Sequence, residues 1–406
     1  MNIETFIAKR ILFNRSSGMM IRPVIRLAVL SVALGIAVMV CSVMIISGFK
    51  RTIVEKLTGF SAHIQISSFN NNNSYEVEPI EFDSTLYQQI LSNHKVEHLQ
   101  VYATKAGIIK YKDEFQGTLV KGVNNTFDVN FFKDKLVKGM VPDFSLSEKS
   151  NQVLISSASA QLLQLDVDSS FLVYFIQDPP RYRKLTVAGI YETGLGEFDE
   201  LYLIADVRHI QKLNDWGDNQ FGGYEVFVKD FSKVEEVNNE LYQSSGFNYN
   251  CQSVKELYPQ VFSWLDLQNM NVWVIIILMF IVAGMNMVST LLIVMLEQTN
   301  LIGILKALGA YNFSIKKIFV RVGSYLAIIG IVFGNLIALT LGYLQVEFEL
   351  FKLDQASYYM NKVPIHFDLY SLLLLNLGTF ILCVALLFIP ARFVTKVNPV
   401  EAMRFD

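Results

Sequence analysis

The sequence predicts an α-helical membrane protein with four transmembrane helices and one large α+β extracytoplasmic domain inserted between helices 1 and 2. Three observations carry this. Four stretches without a charged residue, Leu27–Ser47, Val272–Leu296, Val322–Val346 and Leu369–Ala391, each run for about 21 to 25 residues, enough to cross a hydrocarbon core of ~30 Å. About 215 residues of ordinary polarity separate the first two, enough for one large or two small domains. Lys and Arg gather on one side of the spans. The average composition fits such a hybrid. Of 406 residues 17% are charged and 52% hydrophobic, with a mean hydropathy of +0.35, whereas soluble domains carry about 25% charged residues. The net charge of −3 leaves no basic excess to neutralise phosphates, which argues against nucleic acid as a partner.

Taken in chain order, Ile3, Phe6, Ile7 and Ile11 recur at helical spacing, with Lys9 and Arg10 facing elsewhere. This pattern predicts an amphipathic helix in the cytoplasmic interface. The first span starts too late and runs too long for a cleaved leader, and no A-x-A-like site follows it. Lys9, Arg10, Arg15, Arg22 and Arg26 precede it against Glu4 alone. Lys306, Lys316, Lys317 and Arg321 follow span 2, and Arg392, Lys396 and Arg404 follow span 4. The loop between spans 3 and 4 is acidic, with Glu347, Glu349, Asp354 and Asp368 against Lys352 and Lys362. Both termini are therefore expected in the cytoplasm; Lys50 and Arg51 run against the rule and are outvoted.

In the long segment, β-branched and aromatic runs predict strands at His63–Ser67, Val101–Tyr111, Gly117–Val123, Phe171–Ile176, Leu185–Tyr191 and Tyr224–Lys229. Helical patterns fall at Ser84–Asn93, Ser156–Leu165, Ala205–Leu213 and Val234–Ser244, and Asn70–Ser74 reads as a polar loop. Ile53 and Leu57 after span 1, and Leu257, Val261, Trp264, Leu265 and Gln268 before span 2, continue helical periods and predict a stalk. The expected organisation is an N-terminal segment 1–26, helix 1 with its stalk 27–48, the external domain 49–265, and stalk plus helix 2 at 266–296. A cytoplasmic loop 297–321, helix 3 at 322–346, a short external loop 347–368, helix 4 at 369–391 and a tail 392–406 complete it.

Catalytic chemistry is missing. Cys41 and Cys383 lie in apolar runs, leaving Cys251 alone, so no disulfide framework forms in the external domain. There is no H-E-x-x-H and no C-x-x-C; His94 and His98 share helical spacing in a polar segment and are expected to face solvent. No metal site, G-x-S-x-G or phosphate-cradling loop is present, so the chain is read as a non-enzyme. The spans also hold no Asp, Glu, Lys or Arg, which ion-coupled transporters need. A lumen between such helices suits an apolar or amphipathic cargo, and energy has to enter through a partner. Met39, Met44 and Phe49 in and just beyond span 1, with Trp273 and Phe280 in span 2, are placed either to touch acyl chains or to pack as ordinary membrane side chains.

After span 2 the chain reads EQTNLIGILKALGA over Glu297–Ala310. Leu301, Ile304, Leu305 and Leu308 form an apolar stripe, and Gly309 is suited to end the helix at positive φ. Such a helix is what a partner groove can grip.

This run resembles the coupling segment of the MacB/FtsX-like ABC transporter permeases, and PARFVTKVNPVEAMR at Pro390–Arg404 resembles that family's C-terminal ending. FIAKRIL near the start, LSVALGIAVMVCSVMIISGFK in span 1 and GFSAHIQIS after it are most similar to the membrane subunits of lipoprotein-releasing (Lol) transporters. The resemblance implies a bacterial inner-membrane protein with a periplasmic core domain. It also implies coupling through Glu297, Leu301, Gly303, Ile304, Leu305, Ala307, Leu308 and Gly309 to a separate cytoplasmic ABC ATPase that binds ATP and Mg. This chain itself would bind no cofactor. A lipoprotein cargo in membrane lipid, a second permease copy or a related permease, and a periplasmic lipoprotein carrier are the other implied partners. By position the carrier would meet the loop Gln177–Lys184, with Pro179, Pro180, Arg181, Arg183 and Lys184; an ordinary rigid turn is the alternative. Other readings are force transmission for efflux of a periplasmic substrate or for activating a cell-wall hydrolase, and a non-transporting membrane receptor.

Overall fold

The computed structural model describes residues 3–13, 21–69, 76, 78–146, 148–246 and 248–392, and of residues 21, 22, 356 and 357 the backbone only. The Asn70–Ser74 loop and most of the Pro390–Arg404 ending lie outside the described residues. Helices α1 (Ile3–Phe13) and α2 (Ile21–Ser61) lead into β1 (Ile64–Ser68), β2 (Ile80–Glu81), α3 (Ser84–Ser92), β3 (Val96–Tyr111) and β4 (Glu114–Val123). Next come α4 (Asn130–Asp134), β5 (Leu136–Gly139), β6 (Gln152–Ser156), α5 (Ser157–Leu162), β7 (Ser170–Phe175), β8 (Arg181–Tyr191), α6 (Gly196–Leu201) and β9 (Tyr202–Asp206). Then follow α7 (Arg208–Leu213), β10 (Gln220–Phe221), β11 (Gly223–Val228), α8 (Val234–Ser245), β12 (Tyr249–Ser253) and α9 (Val254–Leu257). The chain closes with α10 (Pro259–Glu297), α11 (Thr299–Ala307), α12 (Asn312–Phe348), α13 (Gln355–Tyr358) and α14 (Leu369–Ala391). It forms two compact units: residues 1–51, 264–352 and 362–406, and residues 52–263 with 353–361.

The first unit is a helix bundle. Helices α2, α10, α12 and α14 are long and apolar enough to cross a membrane. Lipid gives helices no hydrophobic reason to associate, so close approach at small residues holds them. A Cβ on Gly330 would sit 2.7 Å from Val32, and one on Gly334 2.6 Å from Ile36. Asn335 and Asn376 exchange amide hydrogen bonds of 2.8 and 3.1 Å between α12 and α14, and Asn286 donates to Ser31. Helix α1, expected at the interface, packs one edge on the bundle. Ala8 and Ile11 are buried in the bundle's cluster with Ile302 and Phe319, while Ile3 and Phe6 stay exposed. Glu4 pairs with Arg321 at 2.8 Å and Lys317 at 3.6 Å, which pins α1 to α12.

In the second unit β3, β4, β9, β6, β8 and β7 pair in turn, and β7 returns to β3, closing a six-stranded ring. Val120, Val153, Ile155, Phe171, Val173 and Leu203 fill it. The long β3 serves two sheets, since its first half pairs with β11. The strands β12-β1-β11-β3 form an antiparallel sheet, with α3 and α8 contributing Leu86, Ile90, Val237 and Leu241 to its core. The order β-α-β, β-α-β with spatial order 4-1-3-2 is a ferredoxin-like split motif, the ring being inserted between its second and third strands.

Most sequence expectations fall on the right element type. Two of the differences have a clear cause. Ala205 and Asp206, expected to start a helix, finish β9, whose five residues are all buried; a fully buried strand loses the period-2 signature. Leu257 lies in α9, separated from α10 at Tyr258 (φ −125, ψ 58), and Pro259 opens α10, where its missing N–H costs nothing.

Candidate functional site

Helix α10 ends at Glu297, and α11 restarts after Gln298 (φ −97, ψ 20). Helix α11 stops at Leu308, and Gly309 follows at φ +86. A Cβ on Gly309 would meet nothing, so the need for glycine there is conformational and not one of space. The Gly309 and Ala310 amides donate to the Lys306 and Leu305 carbonyls. The apolar stripe splits into two edges. Leu301 and Leu305 are half-buried against the bundle cluster, and the anchor is Ile302, which the periodic reading passed over; Gly303 beside it is also buried. Ile304 and Leu308, one turn apart, are 49% and 80% exposed. Glu297 and Ala307 are exposed too, as are Tyr311 and Phe313 at the start of α12. An apolar edge held out by a helix anchored along its other edge is a surface that a partner can cover.

The Gln177–Lys184 segment is less of a loop than expected, because β8 begins at Arg181 and the turn is confined to 176–180. Pro179, Pro180 and Lys184 are exposed, and the Asp178–Pro179 bond is cis. Arg181 donates to both Asp215 carboxylate oxygens (2.9 and 2.7 Å) and to the carbonyls of Lys212 and Leu213. It holds the Asp215 carboxyl below its usual range. Arg183 is half-buried and donates to the Tyr182 carbonyl. Of the three cations expected to face a partner, Arg181 is therefore folded onto its own domain, and Lys184 is the exposed one.

The acyl-contact residues also divide. Met39, Met44 and Phe49 are buried inside the bundle, with Phe49 edge-on to Trp264 at 5.5 Å. Trp273 is 62% exposed. Phe280 lines an apolar groove of about 530 Å³ between α10 and α14, with Ile277, Ile281, Gly284 and Leu386. Among the candidate histidines, His94 is exposed, but His98 lies in β3, bonds the Thr126 carbonyl at 2.7 Å and packs beside Phe227. No cluster able to hold a metal occurs among the described residues.

Sequence reasoning missed a buried polar group where α2 ends. Lys121 on β4 and Glu225 on β11 pair at 2.6 Å with side chains 2% and 0% exposed. The Lys121 ammonium also donates to the Phe60 carbonyl in the last turn of α2, and Glu225 accepts from Gln100 (2.7 Å) and Gln65 (3.3 Å). Helix ends leave carbonyls unpaired, so this lysine caps α2 while its charge is neutralised. The available signal was one Lys in GTLVKGV and one Glu in GYEVFV, two charges in apolar strands. Phe60 completes the joint with rings 5.2 to 6.1 Å away on Tyr202, Phe198, Phe132, Phe131 and Tyr191.

The MacB-like periplasmic core domain description matches residues 27–243, more than half of the chain, and the FtsX-like permease C-terminal description matches residues 273–399. The chain is 21% identical to the lipoprotein-releasing system transmembrane protein LolC of Buchnera aphidicola subsp. Schizaphis graminum, over 98% of this chain and 97% of that one. It is 21% identical to the lipoprotein-releasing system transmembrane protein LolE of Haemophilus influenzae, over 99% of both. The periplasmic region of MacB from Actinobacillus actinomycetemcomitans is 12% identical, with 52% of this chain and 97% of that one covered at a TM-score of 0.35.

Proposed function

The chain belongs to the permeases with a MacB-like periplasmic core domain and an FtsX-like C-terminal region, and from that premise we propose that it is the membrane subunit of a lipoprotein-releasing ABC transporter. It spans the bacterial inner membrane four times, with both termini cytoplasmic and the β-rich unit in the periplasm. A separate cytoplasmic ATPase, carrying ATP and Mg, grips Ile304 and Leu308 on α11. Nucleotide-driven movement there passes through the spans, and α2 and α10 carry it to the periplasmic unit. An acylated lipoprotein then leaves the lipid and moves toward a periplasmic carrier. The transport path is built by two permeases, either two copies of this chain or this chain and a related one.

The carrying observation is α11 itself, with Ile302 sunk in the bundle and Ile304 and Leu308 held exposed. The near full-length likeness to LolC and LolE chains supports the choice of cargo. The uncharged spans support an acylated cargo over an ion. The test is reconstitution of the complex in proteoliposomes loaded with an acylated lipoprotein. Release that needs both ATP and an acceptor carrier is the expected result. ATP hydrolysis with no release of acylated cargo would overturn the reading in favour of force transmission to another substrate.

A further inference from the structure

The segment Leu353–Asn361, between α12 and α14, belongs to the β-rich unit and not to the bundle. Its base is closed by the Leu353 amide donating to the Asn361 carbonyl at 3.0 Å. From there it reaches α2: the Lys56 ammonium donates to the Tyr359 carbonyl at 2.6 Å. Gln355 Nε2 reaches Glu192 Oε1 at 3.4 Å, and Met360 is buried. Two residues at these contacts hold positive φ, Tyr359 at +58 and Gly194 at +78. A Cβ on Gly194 would lie 2.9 Å from Lys56 Nζ and 3.0 Å from Gln355 Nε2, the movable ends of long side chains, so the positive φ is what calls for glycine there. A polar cavity of about 340 Å³ remains beneath the segment, lined by Lys56, Asp134, Lys135, Glu192, Gln355 and Asn361. Burial, with Lys135 nearby, lowers Lys56 to about 8, against the pull of Asp199 and Glu192, which marks a lysine taken partly out of water to hold a carbonyl.

We propose that Leu353–Asn361 is a reversible latch, closed on α2 by Lys56 and on the end of β8 by Glu192, which must open and re-close during each transport cycle. The Lys56 and Gln355 hydrogen bonds are made by side chains within reach of water, unlike the buried Lys121–Glu225 joint. The latch rests on the transporter reading for its purpose but not for its existence. The experiment uses the full complex in membranes, with Cys41, Cys251 and Cys383 replaced by alanine and Glu192→Cys and Gln355→Cys introduced. A short bis-methanethiosulfonate linker, removable with reductant, joins the pair. Efficient linking is expected, and Lys56→Met should lower the yield about fivefold, the worth of one hydrogen bond. The linked complex should hydrolyse ATP yet lose lipoprotein release, and reductant should restore it. A yield indifferent to Lys56→Met, or release by linked complex at the unlinked rate, overturns the latch. Failure of wild-type and unlinked complexes alike to release acylated lipoprotein overturns the transporter reading instead, and the linker yield then still judges the latch.

Discussion

The two units solve the same problem, holding elements at fixed positions, with opposite materials. The bundle uses absence: glycines at 330 and 334 let α12 lie against Val32 and Ile36 of α2. Its interior holds a few amide and hydroxyl bonds and no charge within the spans. The β-rich unit buries a complete ion pair, Lys121–Glu225, and satisfies it with Gln100, Gln65 and a helix-end carbonyl. Water explains the difference. A domain that folds in water gains from burying apolar surface and can offset one desolvated pair, provided every lone pair is met. Helices in lipid have no such gain and depend on contact distance. A charge placed within the spans of the first unit, or a lost charge in the core of the second, should therefore be the damaging change.

The largest effect is expected from Lys121→Met, which leaves Glu225 buried and uncompensated and uncaps α2. The cost should be about 3–5 kcal/mol, read by chemical denaturation of the purified chain. Lys121→Met with Glu225→Leu should recover most of that loss; a double variant as unstable as the single one would mean the pair's attraction, not its desolvation, dominates.

Next comes acid. His63 accepts the Val228 amide at Nδ1 (3.1 Å) between the rings of Phe227 and Phe231, and burial lowers it from 6.5 to about 4. The unfolded chain takes up this proton first, so stability should be level above pH 6.5 and fall as pH drops toward 4. The His63 share is on the order of 3 kcal/mol. His209, also lowered to about 4 by burial, acts in the same direction. His63→Asn, which keeps an acceptor but cannot titrate there, should flatten the His63 part of the profile.

Gly330→Leu attacks the bundle. Its Cβ would meet Val32 at 2.7 Å, and over-packing of this kind costs about 1–3 kcal/mol. A lower melting temperature in detergent is expected, with the His63-linked acid transition of the β-rich unit unmoved. An unchanged melting temperature would show that α2 and α12 can separate freely.

The architecture was legible wherever one local signal suffices. An uncharged run of 21 residues or more reads as a span, and Ser84–Ser92 shows a capped amphipathic helix, with Asp83 accepting from the Thr85 and Leu86 amides. What was not legible needed knowledge of neighbours. In a span nearly every residue is apolar, so no hydrophobic period says that Met39 and Met44 face other helices and Trp273 does not. Ile302 outranks Leu301 and Leu305 because Ala8 and Ile11, almost 300 positions away, pack in the same cluster. Arg181 read as a free cation because its partner Asp215 comes 34 residues later. The short buried strands β6 and β9 and the polar β12 carried too little pattern to be seen.

The central claim is that the exposed edge of α11 is where the motor attaches. The direct measurement is quantitative co-purification of the partner ATPase from mild detergent, comparing wild type with Ile304→Asp/Leu308→Asp. Both side chains point away from the bundle core, so the variant should keep the wild-type melting temperature. It should lose at least about 30-fold in ATPase recovered, the effect of removing one interface hot spot. Wild-type recovery of the ATPase by the folded double variant would contradict the account.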